Sequence, residues 1–125
     1  MNKSDAEIDS LLAERTRAEV AFENERDELL REKNTIMDAH DDYMSLATRN
    51  RDLLNRFCDI NYDNPASTGA KLDDFCELIS QANYLFSDMA ERTDEELRHL
   101  SIRQDDEEQR WRTRMNAVMN NRSGS

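Results

Sequence analysis

Residues able to do chemistry are sparse in this chain, and the one spacing that invites a reaction is Glu96-Leu97-Arg98-His99. On a helix, a glutamate and a histidine three residues apart project from one face, and Glu-x-x-His is half of the carboxylate-bridged di-iron arrangement of helical bundles. A homodimer would supply two such motifs, with Glu28 or Glu32 furnishing the remaining carboxylates. Against this reading, Leu97 and Leu100 are the core positions of the segment, which leaves Glu96 and His99 at the flank. With 28 acidic residues in the chain, one such match is also an expected coincidence. His40, beside Asp38 and Asp41, reads as a surface histidine. The two cysteines, Cys58 and Cys76, have no histidine close in sequence to complete a zinc site. Packed helix axes stand about 8–10 Å apart while a disulfide wants Cα atoms within roughly 4.4–6.8 Å, so two buried small residues is the reading preferred over a disulfide. No glycine-rich phosphate loop or nucleophile elbow is present in the sequence. The expectation is a protein with no catalytic residues, no cofactor and no metal.

What the sequence does carry is a long apolar periodicity. With Ile8 as an a position, later a positions hold Arg15, Phe22, Leu29, Ile36, Tyr43, Asn50 and Phe57; d positions hold Leu11, Ala18, Glu25, Glu32, Ala39, Leu46, Leu53 and Ile60. A second stripe runs through Leu72, Phe75, Ile79, Ala82, Phe86 and Met89, then Thr93, Leu97, Leu100, Gln104, Trp111, Met115 and Val118. Its consecutive steps of four around Thr93 form a stutter, which locally relaxes a supercoil. Ser4 and Glu7 form a capping box, and the only proline, Pro65, lies with Gly69 between the stripes. The prediction is an all-α, antiparallel two-helix hairpin: helix one over about 5–60, a turn over about 61–69, helix two over about 70–121, and a disordered tail at 123–125.

Folding at a centre between Ala66 and Ser67 would place Phe22 near Trp111, Ala18 near Met115, Ile36 near Leu97 and Phe57 near Cys76. The expected hairpin core is therefore Phe22, Ile36, Leu97, Leu100, Trp111 and Met115. Near the turn the apolar face is wider than one seam, and two helices have no third layer to shield its outer edges. Tyr43, Met44, Leu46, Leu53, Leu54, Phe57, Leu78, Leu85, Phe86 and Met89 are accordingly the candidate partner interface. Farther from the turn the seam turns polar, with Glu25, Glu32, Gln104 and Glu107. Those residues suit a solvated pair of helices held by ion pairs, in preference to an interface whose basic complement lies on another chain.

Composition bounds the partners. The chain has 125 residues, of which 36% are charged and 37% hydrophobic, with a formal net charge of −11. Such a surface is a poor match for nucleic acid or acidic membranes. The apolar runs are too short for a membrane span, and the amino terminus has no hydrophobic region typical of a cleavable signal. A cytoplasmic protein is expected; if it is exported, the route must accept folded helical proteins.

A hairpin of this size with an acidic exterior resembles the small ESX-type proteins of type VII secretion in Gram-positive bacteria. It is more specifically similar to the WXG100-like accessory proteins that escort toxins with a helical LXG domain. In place of Trp-x-Gly the chain has Asn64-Pro65-Ala66-Ser67-Thr68-Gly69, and an aromatic-to-acid spacing like the family's export signal occurs as Tyr84 to Asp88, inside helix two. The resemblance implies a targeting factor or chaperone that binds the helical domain of a secreted toxin or a second small hairpin protein. The alternative is a self-assembling structural coiled coil.

Overall fold

The computed structural model describes residues 3–60 and 65–123, and all of them are α-helical: α1 spans Lys3–Ile60 and α2 spans Pro65–Ser123. Neither helix carries a proline or glycine in its interior, since Pro65 and Gly69 lie at the start of α2. Pro65 opens that helix. A first-turn proline needs no N–H partner and brings a φ suited to helix, so it starts α2 where the sequence pattern had placed a turn running to residue 69. Ser67, Thr68 and Gly69 are consequently part of the helix. The expected turn residues 61–64 lie outside the described residues, as do Gly124 and Ser125; Ser123, assigned to a disordered tail, is the last helical residue.

Two compact units divide the pair of helices: Glu32–Thr93, and Met1–Arg31 with Asp94–Ser125. In each unit the two helices run antiparallel, because cross-helix partners move in opposite directions along the chain. Glu14 meets Arg114 and Glu25 meets Arg103 in one unit; Tyr43 meets Phe86 and Phe57 meets Lys71 in the other.

This register differs from the expected one. Trp111 faces Leu11 and Arg15 instead of Phe22, a displacement of about two helical turns. Phe57 faces Lys71 instead of Cys76. The cause is the earlier start of α2, which moves the fold centre toward the amino terminus.

The inward stripe is also rotated. In the Glu32–Thr93 unit, α1 turns Lys33, Ile36, His40, Tyr43, Met44, Ala47 and Leu54 inward, while Glu32, Ala39, Leu46 and Leu53 are exposed. An ideal helix lags a strict heptad by about 20° each repeat, so after some five repeats the inward set has moved by about one residue. On α2 the same drift replaces Met89 with Ala90, and the two consecutive steps of four fall at Leu100, Gln104 and Glu108. Thr93 is buried on this stripe and tolerated there because its hydroxyl donates to the Met89 carbonyl at 3.1 Å.

Candidate interaction face

In the unit built from Met1–Arg31 and Asp94–Ser125, Leu11, Leu29, Leu100 and Met115 are buried, and Phe22, Leu97 and Trp111 are half-buried. Polar residues at its seam are bridged across the two helices. Arg15 Nη2 donates to Glu108 at 2.8 Å, Arg103 to Glu25 at 2.7 Å and Arg114 to Glu14 at 2.9 Å, while Arg26 donates to Gln104. Ion pairs hold this seam as expected, and the arginines that supply them stand on the facing helix, not on another chain. Each pair is partly exposed and contributes about 0.2–1 kcal/mol, so their main effect is to select the register.

Trp111 anchors that register. Its indole N–H donates to the Leu11 carbonyl at 2.8 Å, and the Arg15 guanidinium stands 4.3 Å from the ring centroid. Arg15 Nε is 3.1 Å from Glu19 but outside hydrogen-bonding geometry, so that contact is electrostatic only. Trp111→Phe keeps a six-membered aromatic ring and deletes the pyrrole portion with its N–H donor. It should cost about 1 kcal/mol, the ordinary net worth of one hydrogen bond. Chemical denaturation followed by circular dichroism measures this; a loss well above that value would mean the indole carries packing that phenylalanine cannot replace.

The Glu32–Thr93 unit buries Ile36, Ala47 and Thr93. His40 is inside, not on the surface as its acidic neighbours suggested. Its Nε2 lies 2.8 Å from Asn83 Oδ1, and its ring sits 5.1 Å from that of Phe86, which also meets Tyr43 at 5.9 Å. Tyr43, Met44, Leu54 and Phe86 are half-buried and belong to the hairpin's own packing, although the sequence had placed them in a partner interface. The misplacement follows from the one-residue drift of the stripe.

The other six candidate interface residues form a surface. Leu46, Leu53, Phe57, Leu78, Leu85 and Met89 are between 46% and 60% exposed. Leu46 and Leu53 each precede an inward residue, Ala47 and Leu54, just as Leu78 and Leu85 precede Ile79 and Phe86. Phe57 and Met89 follow Leu54 and Phe86 by three. In antiparallel helices, positions with the same offset from the seam turn to the same lateral side. The six side chains therefore share one face, made equally by α1 and α2. The opposite lateral side carries Thr48, Asn55, Ser80 and Ser87, exposed and polar, together with the exposed Met37 that follows Ile36. Together the six concentrate exposed apolar area on their own lateral side.

Glu96 and His99 are both exposed, and no group of three or more His, Cys, Asp or Glu positioned to hold a metal ion occurs among the described residues. Cys76 is a free, exposed thiol in place of the buried residue expected; the side chain of Cys58 lies outside the described residues. Tyr84 is exposed on α2. Among the described residues, no helix is long and apolar enough to cross a membrane. No protein-family model matches the chain, and no curated protein or solved structure matches it either.

Proposed function

We propose that this chain is a non-catalytic interaction protein, a targeting factor or chaperone whose Glu32–Thr93 unit docks a helical partner on the face formed by Leu46, Leu53, Phe57, Leu78, Leu85 and Met89. The observation that carries this reading is the one-sidedness of that face. Water contact on these four leucines, Phe57 and Met89 is unfavourable at about 25 cal/mol per Å² of apolar surface, while the opposite side, polar apart from Met37, bears much less of that cost. The outline of the patch suits a helix. It reaches from Phe57 on α1 to Met89 on α2 and so runs obliquely to both axes. A third helix crossing at about 20°, as in ordinary bundles, would lie along it.

The partner that the architectural resemblance implies is the helical LXG-type domain of a toxin, or another small hairpin protein. Co-expression with such a protein encoded beside this one should yield a copurifying complex with a higher Tm than either component, because binding the folded form alone stabilises it. Leu53→Asp and Leu85→Asp should abolish copurification with retained helicity, whereas Ser80→Asp and Ser87→Asp on the opposite side should not. Leu54→Asp is unsuitable, since Leu54 packs inside the hairpin and its charge would unfold the unit. Equal sensitivity of the two lateral sides would overturn the proposal.

A further inference from the structure

The apolar face has an internal symmetry that a general docking surface does not need. Leu46 and Leu78 lie within about a turn of the same height, as the contacts of Tyr43 with Phe86 and of Phe57 with Lys71 fix it. From Leu46 the patch continues along α1 by seven residues to Leu53 and four more to Phe57. From Leu78 it continues along α2 by seven to Leu85 and four more to Met89. The two halves run in opposite directions from a common centre. A surface of this kind can meet itself, which is the requirement for an isologous twofold contact.

The charges along the α1 side of the patch share that centre. Along the outward edge of α1 stand Asp38, Asp42, Arg49 and Arg56, in the order acid, acid, base, base, with Leu46 in the middle. All four are exposed, and none has a hydrogen-bond or ion-pair partner among the described residues. Turned end for end about Leu46, such a row sets acid against base throughout. Laid on itself in the same direction, it sets Arg49 on Arg49 and Asp42 on Asp42, a juxtaposition that costs association.

We infer that, in the protein on its own, a second copy of the chain covers this face. The twofold axis passes through the level of Leu46 and Leu78 and brings Asp42 of each copy to Arg49 of the other. Leu53 of one copy then meets Leu85 of the second copy, and Phe57 meets Met89 of the second copy, so every large apolar side chain of the patch is covered. The inference rests on the reading of the face as a docking surface, and it adds the occupant: the homodimer is the resting form, and a helical client must displace the second copy to bind.

Sedimentation equilibrium of the full chain at micromolar concentration is the test. The wild type should be a dimer, and Leu53→Asp a monomer with unchanged helicity. Asp42→Arg and Arg49→Asp should each weaken dimerisation by about tenfold, as like charges meet across the axis. The double variant carrying both changes should recover the wild-type affinity, because exchanging the two signs preserves a reciprocal pair. A monomeric wild type, a dimer indifferent to Leu53→Asp, or a double variant no better than its parents would each overturn the inference. A monomer that still binds a helical client through Leu53 and Leu85 would remove the second copy while leaving the docking surface in place.

Discussion

Leu100→Ala should lower the unfolding free energy by about 2–5 kcal/mol, the range for truncating a fully buried leucine. Leu100 is fully buried, and among the described residues of its unit only Leu11, Leu29 and Met115 are buried with it. A two-helix unit has little other apolar burial to offset such a loss. Single domains are stable by only about 5–15 kcal/mol, so the variant should melt far earlier and lose amide protection around residues 94–115 first. Ile102, two positions along the same helix, is 60% exposed, and Ile102→Ala should change stability by no more than about 0.5 kcal/mol. Urea denaturation of the two variants side by side makes the comparison. Equal costs would mean that α2 packs with a different face from the one described.

The second large effect separates two phenylalanines that look alike in the sequence. Phe86→Ala should cost about 3 kcal/mol, the low end of the range for aromatic truncations, because the ring is half-buried against His40 and Tyr43. Phe57 is 46% exposed, with the Lys71 ammonium 5.7 Å from its ring centroid. Phe57→Ala should cost under about 1 kcal/mol in a Leu85→Asp background, where association no longer contributes. In the wild-type background the same change should instead weaken self-association or client binding. Thermal and urea denaturation in both backgrounds resolve the two contributions. A large Phe57→Ala penalty in the Leu85→Asp background would place Phe57 in the hairpin core.

Why one phenylalanine was misjudged shows how far the sequence can be read. The heptad count identified both helices and five of the buried apolar residues, Leu11, Leu29, Ile36, Leu100 and Met115, because apolar residues recur at a and d positions over many turns. It failed on rotation. A strict heptad assumes a tight supercoil, and these helices stay closer to the ideal period, so by residue 47 the inward set is Ala47 and not Leu46. The leucines and Phe57 left outside became the candidate face, whereas His40 moved inside. Spacing alone offered a clue: Lys33, His40, Ala47 and Leu54 also repeat every seven residues. Register failed for a separate reason. Pro65 is as compatible with the first turn of a helix as with a loop, and local sequence does not distinguish the two. The cross-helix ion pairs were illegible until that register was known.

The distances in sequence between cross-helix partners carry a consequence for how the hairpin closes. Close to the turn, Phe57 and Lys71 bring together a short stretch of chain, whereas Glu25 meets Arg103 across 78 positions and Leu11 meets Trp111 across 100. Loop-closure entropy grows by about 0.6 kcal/mol for each doubling of the closed length, so the outermost contacts start roughly 2 kcal/mol behind the innermost ones if each forms alone. They avoid that deficit when pairs of short separation form first and every new pair closes only a small additional loop. The hydrogen bond from Trp111 to the Leu11 carbonyl, which closes the longest of these stretches, then acts as a clasp between the two helices of its own unit.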